Sequence, residues 1–414
     1  MMDVEIITIG DELLSGHTVD TNAAFIARQL NAIGYTVRYR SSVGDSLEQM
    51  EEAFQLALRR ARVVIATGGL GPTEDDNTKK AIVKVFKRNL IFLEDVLDEI
   101  KARFARRGVE MPPINQNQAL LPQGATYFPN EHGSALGIMI SEKGRSFIAL
   151  PGVPKEMEQI TRDSVIPYLK GLRAGKAIEV ITLRTTGVGE SKLTEFIAPG
   201  LKPDSGVKLA YLPTYGGVDL RVTAVDDNAD GARAKANDLV RHLEATVGKY
   251  LFGRNEDTLE AVVGQLLKDN DLTVSVAESC TAGQLGNLIT AESGASDYFL
   301  GGIISYSNEA KTNLLDVDSA IIEEHGAVSE ECAIAMAEGC RKKFGSSYAI
   351  SVTGIAGPSG GTDEKPVGTT WIGLSSSHAK YAKKFAYGTN RNVNRTRAAY
   401  AALELLRREI LDIK

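Results

Sequence analysis

The chain has 414 residues, length for two or three domains, and its 43% hydrophobic and 24% charged residues are those of a folded globular protein rather than a disordered one. A net charge of -6 removes the global attraction on which a general nucleic-acid binder relies, and so argues against nucleic acid as a partner. Three cysteines without zinc spacing, a start lacking a signal-peptide pattern and no apolar run near the roughly 18 residues of a membrane span give the expectation of a soluble, cytoplasmic protein with no membrane partner.

In chain order, residues 4–9 read as a strand, Thr21 as the cap of a helix over 22–33 with Gly34 as its stop, and 36–41 as a second strand. A helix over 47–60 and an all-apolar strand over 63–66 complete a βαβαβ pattern, which predicts a parallel sheet with ligands at its carboxyl edge. The first block covers 1–170. The second, 171–252, changes character: strands over 178–186 and 220–225 and an amphipathic helix over 229–247 read as a small α+β module. A polar joint, Gly253-Arg254-Asn255-Glu256-Asp257, opens the third block, 253–414, which returns to alternating strands and helices and ends in a long helix from Val393.

Two constellations carry chemistry. After the strand at Val63 comes Thr67-Gly68-Gly69-Leu70-Gly71-Pro72-Thr73-Glu74-Asp75-Asp76, then a helix over 78–85. Glycines between a strand and a helix let backbone N–H groups converge on a phosphate. Asp75 and Asp76 would repel that phosphate unless a divalent cation lay between, and Asp11 and Glu12 at the same sheet edge would complete a hard-metal site. The competing reading is a glycine turn followed by helix-capping carboxylates. In the module, Gly187-Val188-Gly189-Glu190-Ser191-Lys192 lacks the gap and the ending of a phosphate-binding P-loop.

In the third block a strand over 272–277 runs into Glu278-Ser279-Cys280-Thr281-Ala282-Gly283 and a helix over 284–291. A serine on such a turn is presented beside free helix-terminal N–H groups that could hold an oxyanion or a phosphate; the plainer reading is a Ser/Thr cap. Tyr306, Asn308 and Lys311 follow another strand, Thr353 ends a third, and Gly354-Ile355-Ala356-Gly357-Pro358-Ser359-Gly360-Gly361 could cradle phosphate or ribose, with Arg391 as a planar cation. None of the five histidines lies in these motifs. If Ser279 is a nucleophile, its base is therefore Lys311, relayed through Tyr306 or acting directly, provided its pKa is lowered; pairing with phosphate is the other role open to Lys311. A neighbouring side chain on the turn points elsewhere, which disfavours Cys280 as the nucleophile.

Gly10-Asp11-Glu12-Leu13-Leu14-x-Gly16, the 67–76 stretch and Leu150-Pro151-Gly152-Val153-Pro154 resemble the molybdopterin-binding (MoaB/Mog-like) domain, in the form it takes in the CinA family. Ala-Glu-Ser-Cys-Thr, Tyr-Ser-Asn-Glu-Ala-Lys, Gly326-Ala327-Val328-Ser329 and Gly-Ile-Ala-Gly-Pro with Lys365-Pro366-Val367-Gly368-Thr369 resemble that family's C-terminal domain. The resemblance implies an α/β protein with a three-layer MoaB/Mog-like domain, a KH-like α+β connecting module and a C-terminal α/β deamidase domain. It further implies a homodimer acting on nucleotides. The first domain would hydrolyse ADP-ribose to AMP and ribose 5-phosphate, with Gly68, Gly69, Gly71, Thr73, Pro151 and Gly152 at the ligand and a divalent cation on Asp11, Glu12, Asp75 and Asp76. The last would deamidate nicotinamide mononucleotide to nicotinic acid mononucleotide and ammonia without a cofactor. Ser279, Tyr306 and Lys311 would carry that chemistry, and Thr281, Gly283, Asn308, Thr353, Gly354, Gly357, Gly361 and Arg391 would line the pocket. The family commonly has Gly-Gly where Ala282-Gly283 stands here, a departure that is harmless if φ at Ala282 is negative. The alternatives are a non-catalytic nucleotide-sensing protein linked to competence and a molybdopterin-binding protein.

Overall fold

The computed structural model describes residues 3–73, 75–106, 108–172, 177–201 and 206–413. They form two compact units, one of residues 1–180 with 225–232, the other of 181–224 with 233–414.

In the first unit, β1 (Asp3–Ile9), β2 (Thr36–Val43) and β3 (Val63–Thr67) are parallel, with β1 between the other two. A short antiparallel pair, β4 (Leu90–Phe92) with β5 (Leu120–Pro122), stands apart. The main sheet is extended by β6 (Thr126–Phe128), β7 (Gly137–Glu142) and β8 (Arg145–Leu150) into the order β2-β1-β3-β8-β7-β6, with β8 parallel to β3 and the last two strands antiparallel. Met50, Phe54 and Ile82 pack on one face and Phe25, Ile26, Leu30 and Ile160 on the other, so β3 is buried from end to end, as its unbroken apolar run requires. The helix after β1 is Thr21–Ala32, and its cap is Asp20, not Thr21: the Asp20 carboxylate accepts from the Ala23 N–H. Carboxylate outcompetes hydroxyl there because a negative charge also favours the helix N-terminus.

Mostly within the second unit, apart from residues 177–180, 225–226 and 229–232, β9 (Ala177–Thr185), β10 (Val207–Pro213), β11 (Val218–Asp226) and β12 (Leu251–Arg254) make a sheet in the order β10-β11-β9-β12, covered by the helices Glu190–Ile197 and Ala229–Val247. The joint expected at Gly253 is part of that sheet, since Gly253 and Arg254 pair with β9 and Asp257 accepts from the Arg254 N–H. The same unit holds β13 (Val274–Glu278), β14 (Phe299–Ile304), β15 (Tyr348–Gly354), β16 (Thr369–Ser375) and β17 (Lys380–Ala386). Their order is β14-β13-β15-β16-β17, with β13 parallel to both neighbours. Helices Leu259–Asp269, Gln284–Ile289 and Arg391–Ile410 pack on one face and Glu330–Phe344 on the other. The chain leaves β13 for a neighbour on one side and later returns to a neighbour on the other. The carboxyl end of β13 is therefore the switch point where an open parallel sheet forms its crevice.

The terminal helix starts at Arg391 rather than Val393, capped by Asn390. Arg407 on this helix is almost fully buried, pairs with Glu404 and donates to the carbonyls of Lys249 and Leu251 in the module. Among the described residues no helix is long and apolar enough to cross a membrane.

Candidate functional site

Ser279 sits one residue beyond β13, at the switch point. Its N–H donates to the Val352 carbonyl on β15, while the Ser305 N–H beyond β14 donates to the Glu278 carbonyl. Ser279 is thus flanked by Ser305 and Thr353, each one step past its own strand's register with β13. Lys311 lies in the helix Asn308–Leu315, whose cap Ser307 accepts from the Ala310 N–H. From there it turns inward until its side chain is almost wholly buried, with Nζ 3.2 Å from Ser279 Oγ. The remaining Nζ contacts are the carbonyls of Ser305 at 2.8 Å, Tyr306 at 3.4 Å and Ser307 at 3.5 Å. No carboxylate pairs with it among the described residues, and burial pushes its pKa below the usual lysine range. Carbonyls stabilise an ammonium less than a carboxylate would, so neutral Lys311 is within reach.

The turn after Ser279 differs from the expected one in two respects. Glu278 is buried and accepts from the N–H groups of Gly283, Leu285 and Gly286, so the helix-terminal donors foreseen for an oxyanion or phosphate are taken by the protein's own carboxylate. Ala282 has φ +49 and Gly283 φ +93. The side chain at 282 therefore stands in the left-handed region, where a β-carbon is strained, and the condition of negative φ is not met.

Tyr306 is 58% exposed and its hydroxyl accepts from Arg391 Nη2 at 3.0 Å, while Arg391 Nη1 donates to the Gly357 carbonyl. Tyr306 and Arg391 thus form a rim pair, and a relay through Tyr306 is not what the structure builds: Lys311 meets Ser279 directly. Thr353 Oγ1 donates to the Ala327 carbonyl, and Gly354, Gly357 and Gly361 bring their loop against residues 366–370. Asn308 is exposed at the start of its helix, and Thr281 is buried with Oγ1 lacking a partner. The Cys280 thiol is pushed up to about 11 by burial, which leaves little thiolate at neutral pH.

In the first unit, Gly68 has φ +120, and a β-carbon there would overlap the Ile9 carbonyl. The loop is closed by Asp76, whose oxygens accept from the N–H groups of Gly71 and Thr73 and from the Thr73 hydroxyl. Pro151 accepts from the Thr67 hydroxyl, and the Gly152 carbonyl accepts from Asn22. The adjacent acids thus differ: Asp76 clamps the loop and Asp75 is exposed. Asp11 and Asp45 exchange hydrogen bonds, each N–H donating to the other's carboxylate. Burial raises the Asp45 pKa, and the charges of Asp11, Glu12 and Asp76 raise it further. These hard carboxylate oxygens suit a divalent cation chemically. Among the described residues, however, no three His, Cys, Asp or Glu side chains converge as metal ligands.

Sequence reasoning missed Asp45, Asn22 and Glu278. Asp45 follows β2 at the same carboxyl edge as Asp11, a signal that strand order alone could have supplied. Also missed is Lys79, whose Nζ donates to the Asn117 carbonyl and to Gln118, and whose pKa burial lowers to about 8.

Three family models match the chain: "Probable molybdopterin binding domain" over residues 5–171, "Damage-inducible protein CinA KH domain" over 181–253 and "CinA C-terminal domain" over 256–410. A CinA-like protein of Gemmatimonas aurantiaca is 44% identical over 98% of this chain and 96% of its own length. One from Cytophaga hutchinsonii is 41% identical over 99% of this chain and 98% of its own. A crystal structure of a CinA protein from Thermoplasma acidophilum is 36% identical over 42% of this chain and 98% of its own, with TM-score 0.38.

Proposed function

The chain belongs to the CinA family, and from that premise we propose that its C-terminal domain is a serine–lysine amidase that converts nicotinamide mononucleotide to nicotinic acid mononucleotide and ammonia. The observation that supports this most directly is the buried Lys311 Nζ at 3.2 Å from Ser279 Oγ, held by carbonyls and free of a carboxylate partner among the described residues. A carboxamide is a poor electrophile, so its hydrolysis needs an activated nucleophile. Neutral Lys311 takes the Ser279 proton as Oγ attacks the carboxamide carbon, the amine departs as ammonia, and water releases the acid. Burial of Lys311 disfavours a role in binding phosphate, so in this reading Arg391, exposed at the rim, would be the cation that meets that group.

For the N-terminal domain the proposal is hydrolysis of ADP-ribose to AMP and ribose 5-phosphate at the edge formed by Gly68, Gly69, Gly71, Thr73, Pro151 and Gly152. Asp11, Glu12, Asp75 and Asp45 do not by themselves converge as a ligand set among the described residues, so a divalent cation would enter with the pyrophosphate and be shared between its oxygens and these acids, while Asp76 would keep the loop closed around the ligand. Such a cation, when bound, would neutralise the pyrophosphate and polarise its phosphorus–oxygen bonds. One preparation of the full chain, assayed for ammonia from nicotinamide mononucleotide and for AMP from ADP-ribose, tests both halves. Binding of either nucleotide without turnover would replace the enzymatic reading with the sensor.

A further inference from the structure

Two hydroxyls beside the Ser279–Lys311 pair are fully buried and have no hydrogen-bond partner, Ser305 Oγ and Thr281 Oγ1. A buried hydroxyl without a partner is uncommon and calls for a water, a ligand or a reacting group. Ser305 is the better placed of the two. Its N–H is bound to the Glu278 carbonyl, the residue before Ser279, and its own carbonyl is the shortest contact of Lys311 Nζ, at 2.8 Å. Ser305 also stands one step past the pairing of Glu278 with Ile304. In adjacent parallel strands such positions project to the same side, so the Ser305 and Ser279 side chains are neighbours. Among the described residues Lys311 Nζ meets one side-chain group, Ser279 Oγ, and otherwise backbone carbonyls, so Ser305 Oγ has to turn about its Cα–Cβ bond to reach it.

We propose that Ser305 is a further catalytic residue of the amidase, the hydroxyl that passes the proton from Lys311 to the departing amine. The inference rests on the amidase reading above. In the first step the Ser279 Oγ–carbon bond forms and the Ser279 proton moves to neutral Lys311. In the second, the carbon–nitrogen bond breaks: Ser305 gives its proton to the leaving nitrogen and receives the proton from Lys311, so ammonia leaves and Lys311 is neutral again. Water then attacks the ester on Ser279 with Lys311 as base, and the acid and free serine result. The relay spares Lys311 from moving between Ser279 Oγ, where it takes the proton, and the leaving nitrogen, where that proton is delivered.

The test compares an amide with an ester. Ser305→Ala removes one hydroxyl that bonds nothing in the protein, so the fold should persist. In the full chain it should lower kcat on nicotinamide mononucleotide by about a hundredfold, the scale of a lost general acid. Turnover of the methyl ester of nicotinic acid mononucleotide should change little, because an alkoxide leaves without prior protonation far more readily than an amide anion. Equal losses on amide and ester, or no loss on either, would overturn the role of Ser305. An amide-selective loss in Thr281→Val with none in Ser305→Ala would assign the relay to Thr281 instead. Wild-type protein inert on both substrates would sink the amidase reading itself, a result separable from an active wild type with an indifferent Ser305→Ala variant.

Discussion

The turn after Val63–Thr67 and the turn after Val274–Glu278 both leave the carboxyl end of a buried parallel strand, and both pass through left-handed residues. In each, one carboxylate binds the turn's own backbone: Asp76 holds Gly71 and Thr73, and Glu278 holds Gly283, Leu285 and Gly286. They differ in what is left over. Beyond Asp76 remain several acids, among them Asp45, whose pKa is raised first by burial and then by the charges of Asp11, Glu12 and Asp76. Beyond Glu278 remains one serine facing one uncompensated buried lysine. An acidic residue at a strand-to-helix turn therefore has to be placed before it is read as a ligand, because the turn's own N–H groups compete for it.

The largest separation of the two regions should come from Ser279→Ala. It should cut ammonia release from nicotinamide mononucleotide by at least about a thousandfold, as expected when a nucleophile acts with its base as a unit, and leave ADP-ribose cleavage unchanged. Lys311→Arg puts a permanent charge there without a usable base, so kcat should collapse while substrate binding persists. The wild-type pH profile sharpens this point. Burial lowers the Lys311 pKa from the ordinary 10.5, and the base must be neutral, so the rate should rise with pH and level off below the usual lysine range. A profile flat across that range, or normal turnover by the arginine variant, would return Lys311 to a binding role.

Chelation should work in the opposite sense, silencing ADP-ribose cleavage and sparing ammonia release; equal sensitivity of both activities would remove the cation from the comparison. A smaller effect concerns the boundary. A fragment of residues 254–414 should release ammonia, but it leaves Arg407 without the Lys249 and Leu251 carbonyls. Two part-buried charge-assisted bonds, each at the low end of about 1.5 kcal/mol, should make it less stable than a 181–414 fragment by about 3 kcal/mol, measurable by denaturant unfolding of the two. Identical midpoints would show that the module contributes nothing there. Smallest of all, Ala282→Gly should relieve the left-handed strain and stabilise the C-terminal domain by about 1 kcal/mol, some 2–4 °C in Tm. An unchanged or lower Tm would show that the turn holds no such strain.

Periodicity and apolar runs determined much of this architecture. Residues 47–60 and 78–85 are helices with the predicted bounds, β1 stands where the Ile-rich run 4–9 placed it, and β3 where the all-apolar run 63–66 placed it. Such elements are legible because their burial pattern is local and repeats along the chain. Motifs likewise put Ser279 and Lys311 on the short list, 32 residues apart in sequence. Only the tertiary structure decided that they touch, that Tyr306 turns to Arg391 instead, and that Glu278 rather than a ligand fills the helix N-terminus. It also decided that Gly253 lies in a strand, because an edge strand is defined by its partner β9 and not by its own composition. The left-handed φ at Ala282 belongs to the same class. Backbone strain, pairing partners and the distance between side chains on neighbouring strands are set by contacts distant in sequence, whereas hydrophobic periodicity is written residue by residue.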